Sequence, residues 1–208
     1  MWSDLSDFAK TAERAYRRDV WTTQPEYVEV WLEKDALSGI FEDVLSKYGV
    51  TLNVGRGFDG WDSIHNAGDR YRENGGVTIL YFGDFDPSGE DMVRSLRERI
   101  GEYIEITDDP FDFSGDVNVE IVKCALTMSD IKRYQLPPDF AKKTDTRAAK
   151  FIARHGDVSV ELDALPADVL RNRLITEVES RMDLKALAQV SAQEASERER
   201  LVKLLSAA

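Results

Sequence analysis

The sequence predicts an α/β domain built on a mainly parallel central sheet, and three observations predict it. Four short runs of β-branched, aromatic and aliphatic residues recur before residue 127, stretches with helical spacing of apolar residues lie between them, and Gly-, Asn- or Pro-containing breaks punctuate the joints. Strands that alternate with helices of about a dozen residues are joined by right-handed crossovers, which makes the strands parallel.

Taken in order, residues 4–17 place Leu5, Phe8, Ala9, Ala12 and Tyr16 on one helical face. Residues 27–32, YVEVWL, suit a mostly buried strand, because strands covered on both faces read as continuous apolar runs. Residues 36–48 follow as a helix with Leu37, Ile40, Phe41, Val44 and Leu45 inward, and Gly49 stops it. A second strand over 51–54 runs into Gly55-Arg56-Gly57, and a helix over 61–73 closes on Asn74-Gly75-Gly76. VTILYF, residues 77–82, is the clearest strand. A helix over 88–100 and a Pro- and Asp-rich loop lead to the fourth strand, 117–126. Beyond it the pattern is helical over 129–134, 144–155, 166–182 and 184–205, with 159–162 a candidate for one more strand.

With 208 residues, 42% hydrophobic and 32% charged, the chain has the composition of a folded protein able to bury a core. Its apolar runs are far short of the ~20 residues a membrane span needs, and its first twenty residues are too charged for a signal peptide, so a cytoplasmic protein with no membrane partner is expected. The single cysteine, Cys124, excludes an internal disulfide and a cysteine-rich zinc site. With only two histidines, any metal should be held by carboxylates.

A formal charge of −12 argues against broad, non-specific nucleic-acid binding. The charge is unevenly spread. Residues 27–113 carry 19 acids against 8 bases, whereas residues 114–208 carry 15 of each. Within the latter, residues 123–154 hold eight bases and three acids, a local excess that suits either phosphate binding or an ordinary solvated helix surface.

In parallel α/β sheets functional groups gather beyond the carboxyl ends of the strands. Glu33 stands there after YVEVWL, and Gly83-Asp84-Phe85-Asp86 after VTILYF. In extended chain Asp84 and Asp86 point to the same side, with Phe85 opposite. If the two strands are neighbours, three carboxylates converge, a hard oxygen donor set suited to Mg²⁺ or Mn²⁺ and hence to phosphate chemistry. A D-x-D after a strand is also an ordinary turn and helix N-cap.

Val30 to Ala36, VWLEKDA, then Gly55-Arg56-Gly57-Phe58, then Gly83 to Gly89, GDFDPSG, together resemble a Toprim domain. Their wording is similar to the A subunit of topoisomerase VI and the meiotic double-strand-break protein family, and the later LTMSDIKRYQLP, residues 126–137, resembles the segment after the last Toprim strand. The likeness covers residues 27–133, about half the chain. It implies a Rossmann-like three-layer fold and an Mg²⁺- or Mn²⁺-dependent site for breaking or joining DNA phosphodiester bonds. Glu33 would act as metal ligand or general acid/base, and Asp84 and Asp86 would hold the ion. Lys34 and Arg56, beside strand ends, are candidate phosphate contacts, as are Lys142, Lys143 and Arg147, which suit a solvated helix start equally well. Glu90 and Asp91 are explained by helix-start electrostatics, and His65 and His155 need no catalytic role.

The chain departs from the family in one respect. Those proteins cleave DNA with a tyrosine on a winged-helix domain that precedes the Toprim domain, and here only 26 residues precede the first strand. Tyr16 has the spacing of a packing residue, and a nucleophilic tyrosine with an ordinary pKa near ~10 needs a scaffold that activates and aims it. The expectation is therefore a fragment that relies on a nucleophile from elsewhere, or a stand-alone enzyme that uses water. With no Gly-rich ATP loop, any ATP-coupled step needs an ATPase partner subunit. The expected division is an N-terminal helix over 1–26, read as the remnant of a DNA-binding domain, a Toprim α/β domain over 27–135, and a helical extension over 136–208 packed on it, with a homodimer as the assembly. The competing readings are a catalytically inactive Toprim scaffold or dimerisation module and, more distantly, a phosphoacceptor receiver domain.

Overall fold

The computed structural model of the protein describes residues 2–55, 61–106, 117–139 and 147–206. Four strands, β1 (Val28–Leu32), β2 (Thr51–Val54), β3 (Gly76–Phe82) and β4 (Asn118–Ala125), form one parallel sheet in the order β2-β1-β3-β4. The expected α/β fold with a parallel sheet is the fold observed. All five residues of β1 are buried, and so are six of the seven in β3, which explains why both read as unbroken apolar runs.

Register decides where the strands end. Leu32 pairs with both Val54 and Phe82, so β1, β2 and β3 stop level with one another. Backbone bonds carry the ladder one residue further: Glu33 N–H donates to Phe82 O (2.9 Å), Gly55 N–H to Leu32 O (2.8 Å) and Gly83 N–H to Ala125 O (2.8 Å). Glu33 and Gly83 are therefore held by the sheet itself.

The helices are α1 (Leu5–Ala15), α2 (Ser38–Leu45), α3 (Trp61–Glu73), α4 (Pro87–Ile106), α5 (Met128–Tyr134), α6 (Ala148–His155), α7 (Ala167–Glu179) and α8 (Leu184–Ser206). A 3₁₀ turn over Asp35–Leu37 precedes α2. The crossover through α2 steps from β1 to β2, and the one through α3 steps back past β1 to β3, so right-handed crossovers put the two helices on opposite faces. One layer pairs α3 with α4 and the other pairs α2 with α7, with the sheet between them. Trp31, Phe41, Tyr71, Tyr81 and Phe82 are fully buried in the core. Glu29 is buried among them and is fully partnered: Arg70, Tyr27, Tyr71 and Asn53 all donate to its carboxylate.

The chain resolves into two compact units, residues 26–181 and residues 1–25 with 182–208. Their division differs from one drawn at residue 135. In α7 the stripe Leu170, Leu174 and Val178 is buried at i, i+4 and i+8, which joins this helix to the sheet-bearing unit. In α8 the one buried residue among those described is Val190, and α8 packs instead along α1. Polar ties join α8 to the segment that follows α1: the Tyr16 hydroxyl donates to Glu197, Arg18 pairs with Glu197 at 2.9 Å, and Arg198 donates to Tyr16 O. Residues 159–162 make no strand but two single antiparallel bridges, Phe85 with Val160 and Asp139 with Ser159. Among the described residues no helix is long and apolar enough to cross a membrane.

Candidate functional site

In the order β2-β1-β3-β4 the chain leaves β1 in one direction and returns on its other side, so the switch point lies between β1 and β3. Crevices of doubly wound sheets open at that point, beyond the carboxyl ends of the strands. Glu33 follows one of these strands and Asp84 and Asp86 the other, and all three line a cleft of about 650 Å³. Pro87, Ser88, Pro137, Asp139, Arg147 and residues 159–161, 163 and 164 complete its wall.

Each carboxylate is fixed by a backbone donor. Glu33 Oε2 accepts from Asp84 N–H at 3.0 Å and from the Tyr81 hydroxyl at 2.9 Å. Asp84 Oδ1 accepts from Leu162 N–H at 2.7 Å, and Asp86 Oδ1 from Gly89 N–H at 2.6 Å as α4 begins. The glycines of Gly83-Asp84-Phe85-Asp86-Pro87-Ser88-Gly89 are required by close approach. A Cβ on Gly83 would stand 2.4 Å from Glu33 Oε2 and 2.5 Å from Tyr81 Oη, and one on Gly89 2.4 Å from Asp84 O. Phe85 turns away from the cleft, is 3% exposed, and packs its ring against Phe151 and His155.

Burial, followed by the charges of Glu33 and Asp86, pushes the Asp84 carboxyl up to about 6, against the Leu162 N–H bond and Lys34, which favour ionisation. Carboxylates crowded in this way gain from a cation. Among the described residues no three or more His, Cys, Asp or Glu side chains form a group that could by itself hold a metal ion. Mg²⁺ does not require one, since it keeps several waters and commonly takes one or two carboxylates together with substrate phosphates. The all-oxygen donors and their mutual repulsion fit a hard cation bound in that open manner.

Of the expected cations, Lys34 is engaged by the cleft wall. Lys34 makes ion pairs of 2.7 Å with both Glu161 and Asp163 on the cleft wall, and these hydrogen bonds outweigh its burial to raise its pKa. It ties the wall to the end of β1. Arg147 does line the cleft, with an ion pair to Asp91 at 3.3 Å. Arg56, Lys142 and Lys143 lie outside the described residues.

Lys123 in β4 is the cation that sequence reasoning missed. Its Nζ donates to Asp84 O at 3.0 Å and lies 5.8 Å from the Phe85 ring centre. Burial lowers its pKa, while Glu90, Glu33, Asp86 and Asp84 oppose that shift. The one available signal was a lysine inside the apolar run EIVKCA. Cys124 beside it is buried, its thiol pushed up to about 12, and is inert at neutral pH. No protein-family model, no curated protein and no solved structure matches the chain.

Proposed function

We propose that the sheet-bearing unit is a Toprim-like, Mg²⁺-dependent module acting on DNA phosphodiester bonds, either as a nuclease or as the metal-binding half of a topoisomerase VI A-like cleavage protein. One observation carries this reading: three carboxylates from the ends of two adjacent parallel strands line a single cleft at the switch point, where burial first, and then the charges of Glu33 and Asp86, push Asp84 up to about 6. A bound Mg²⁺ would neutralise and orient a phosphate that bare carboxylates repel. Asp84 and Asp86 are the residues to hold it through the oxygens their backbone donors leave open. Glu33, braced by Tyr81, is the third ligand or the group that moves a proton at the attacking or leaving oxygen. The nucleophile is water, or a tyrosine supplied by another domain or polypeptide. An ATPase subunit and a second copy of the chain belong to the topoisomerase-like version of the same proposal.

The inactive-scaffold reading has its own support, since Glu33 spends one oxygen on two internal donors and the described residues include no ready-made cage. Supercoiled plasmid incubated with Mg²⁺ or Mn²⁺ separates the two, with the Asp84→Asn/Asp86→Asn double variant in parallel. The expected result is metal-dependent nicking or linearisation that the double variant lacks. Metal binding without cutting would assign a half-site that awaits its nucleophile, and neither binding nor cutting would leave the scaffold.

A further inference from the structure

The acidic cleft has a neighbour of opposite character. A groove of about 370 Å³ is lined by Arg94, Arg147, Lys150 and Arg154, with Glu90 and Asp91 on α4 and with Pro87 and Phe151. It shares Pro87 and Arg147 with the cleft, so the two adjoin. In a chain of net charge −12, four cations around one groove stand out.

Of the two acids of the groove, Asp91 is already engaged. Asp91 is shared by Arg94 (2.8 Å) and Arg147 (3.3 Å), and Glu90 lies 2.7 Å from His155 Nε2, in a contact whose angle falls short of a hydrogen bond. Lys150 is exposed and has no carboxylate partner among the described residues, and the Arg154 side chain is 65% exposed with Glu90 no closer than 4.0 Å. Helix electrostatics accounts for Arg154, in the last turn of α6, but not for Arg147. Arg147 stands at the N-cap position of α6 with no side-chain capping bond, the first turn has no acid, and a cation there opposes the helix dipole. Positions 147, 150 and 154 instead share one helical stripe, which over seven residues extends about 10 Å. Measured along the axis of a duplex, at a rise of ~3.4 Å per nucleotide, that length covers roughly three nucleotide steps of one strand.

We propose that Arg147, Lys150 and Arg154 form a track for the phosphodiester backbone of a nucleic-acid strand and feed it into the carboxylate cleft. The inference rests on the phosphodiester reading of that cleft. It names which face of the unit meets the polymer and where flanking phosphates sit. Arg94 buttresses the track through Asp91, and Arg147, at the junction, is the contact nearest the carboxylates.

The test is equilibrium binding of the whole chain to a labelled DNA duplex, and separately to a single strand, in EDTA across a series of salt concentrations. Lys150→Gln and Arg154→Gln are expected each to flatten the plot of log affinity against log salt by about 0.9 for duplex or ~0.7 for single strand, a loss of roughly eightfold at 0.1 M salt on duplex. Lys185→Gln, on α8, controls for net charge and should bind as the unaltered protein does. Wild-type affinity and slope in both groove variants would overturn the proposal, as would an equal loss in Lys185→Gln. Because no metal is present, failure of the cleft to cut DNA does not obscure the result. Conversely, a groove that binds nothing leaves plasmid cutting readable on its own.

Discussion

Asp84 is the residue in which fold and chemistry conflict. Its carboxyl is withdrawn from water beside two other carboxylates and is pushed up to about 6. An unfolded aspartate titrates near ~4, so between those values the folded chain holds a proton that the unfolded chain has released. Stability from this group therefore falls as pH rises from about 4 to about 6 and stays reduced above that. Asp84→Asn keeps an acceptor for Leu162 N–H and removes the charge. In EDTA at pH 7 the variant should be more stable by about 1 kcal/mol in urea unfolding, a gap that closes by about pH 4 while metal-dependent activity is lost. A variant less stable at pH 7 would mean that the ionised carboxylate is well solvated or well paired. The positions of Glu33, Asp84 and Asp86 were legible in the sequence because Glu33 directly follows one apolar run and Gly83-Asp84-Phe85-Asp86 directly follows another. The destination of Lys34 was not, since its partner Glu161 lies 127 residues away.

Elements read well where burial wrote a pattern and poorly where single contacts did the joining. The strands β1 and β3 announced themselves as apolar runs, β2 and α3 fell on the expected residues, and the stripe of α7 had helical spacing. The cleft wall at 159–163 did not, because it is joined by two isolated bridges and a 3₁₀ turn over Leu162–Ala164, none of which imposes a period on the sequence. Between elements, the tie of α5 to α7 is a buried ion pair. Arg173 donates to both oxygens of Asp130 at 2.6 and 2.8 Å, and Thr127 completes a capping box with the same aspartate. Burial opposes ionisation of Asp130, but the bonds from Arg173 and Thr127 prevail and hold its pKa below the ordinary value, the reverse of Asp84. Arg173→Met should cost about 3 kcal/mol in urea unfolding at pH 7, since it strands a buried carboxylate. The contribution is present above about pH 4 and lost as pH falls below it, so the deficit should shrink in acid; a deficit independent of pH would assign it to packing.

At the scale of the whole molecule, the four strands among the described residues and the lining of the carboxylate cleft belong to residues 26–181, while α1 and α8 belong to a unit of their own, tied through Glu197 to Tyr16 and Arg18. A chain of residues 26–181 alone should therefore fold, unfold in one cooperative urea transition, and keep the pH dependence traced to Asp84. Loss of a cooperative transition would show that the sheet depends on α1 and α8. Leu162 N–H, which donates to Asp84 Oδ1 at 2.7 Å, has a further consequence. The contact is made by main chain, so a substitution at 162 disturbs the packing of a buried leucine but leaves the donor in place, and proline alone removes the N–H. The same amide proton is a built-in spectroscopic gauge. Its nuclear magnetic resonance frequency should move with the protonation of Asp84 and move again when a cation arrives, so one backbone signal can follow the state of the cleft without altering any residue in it.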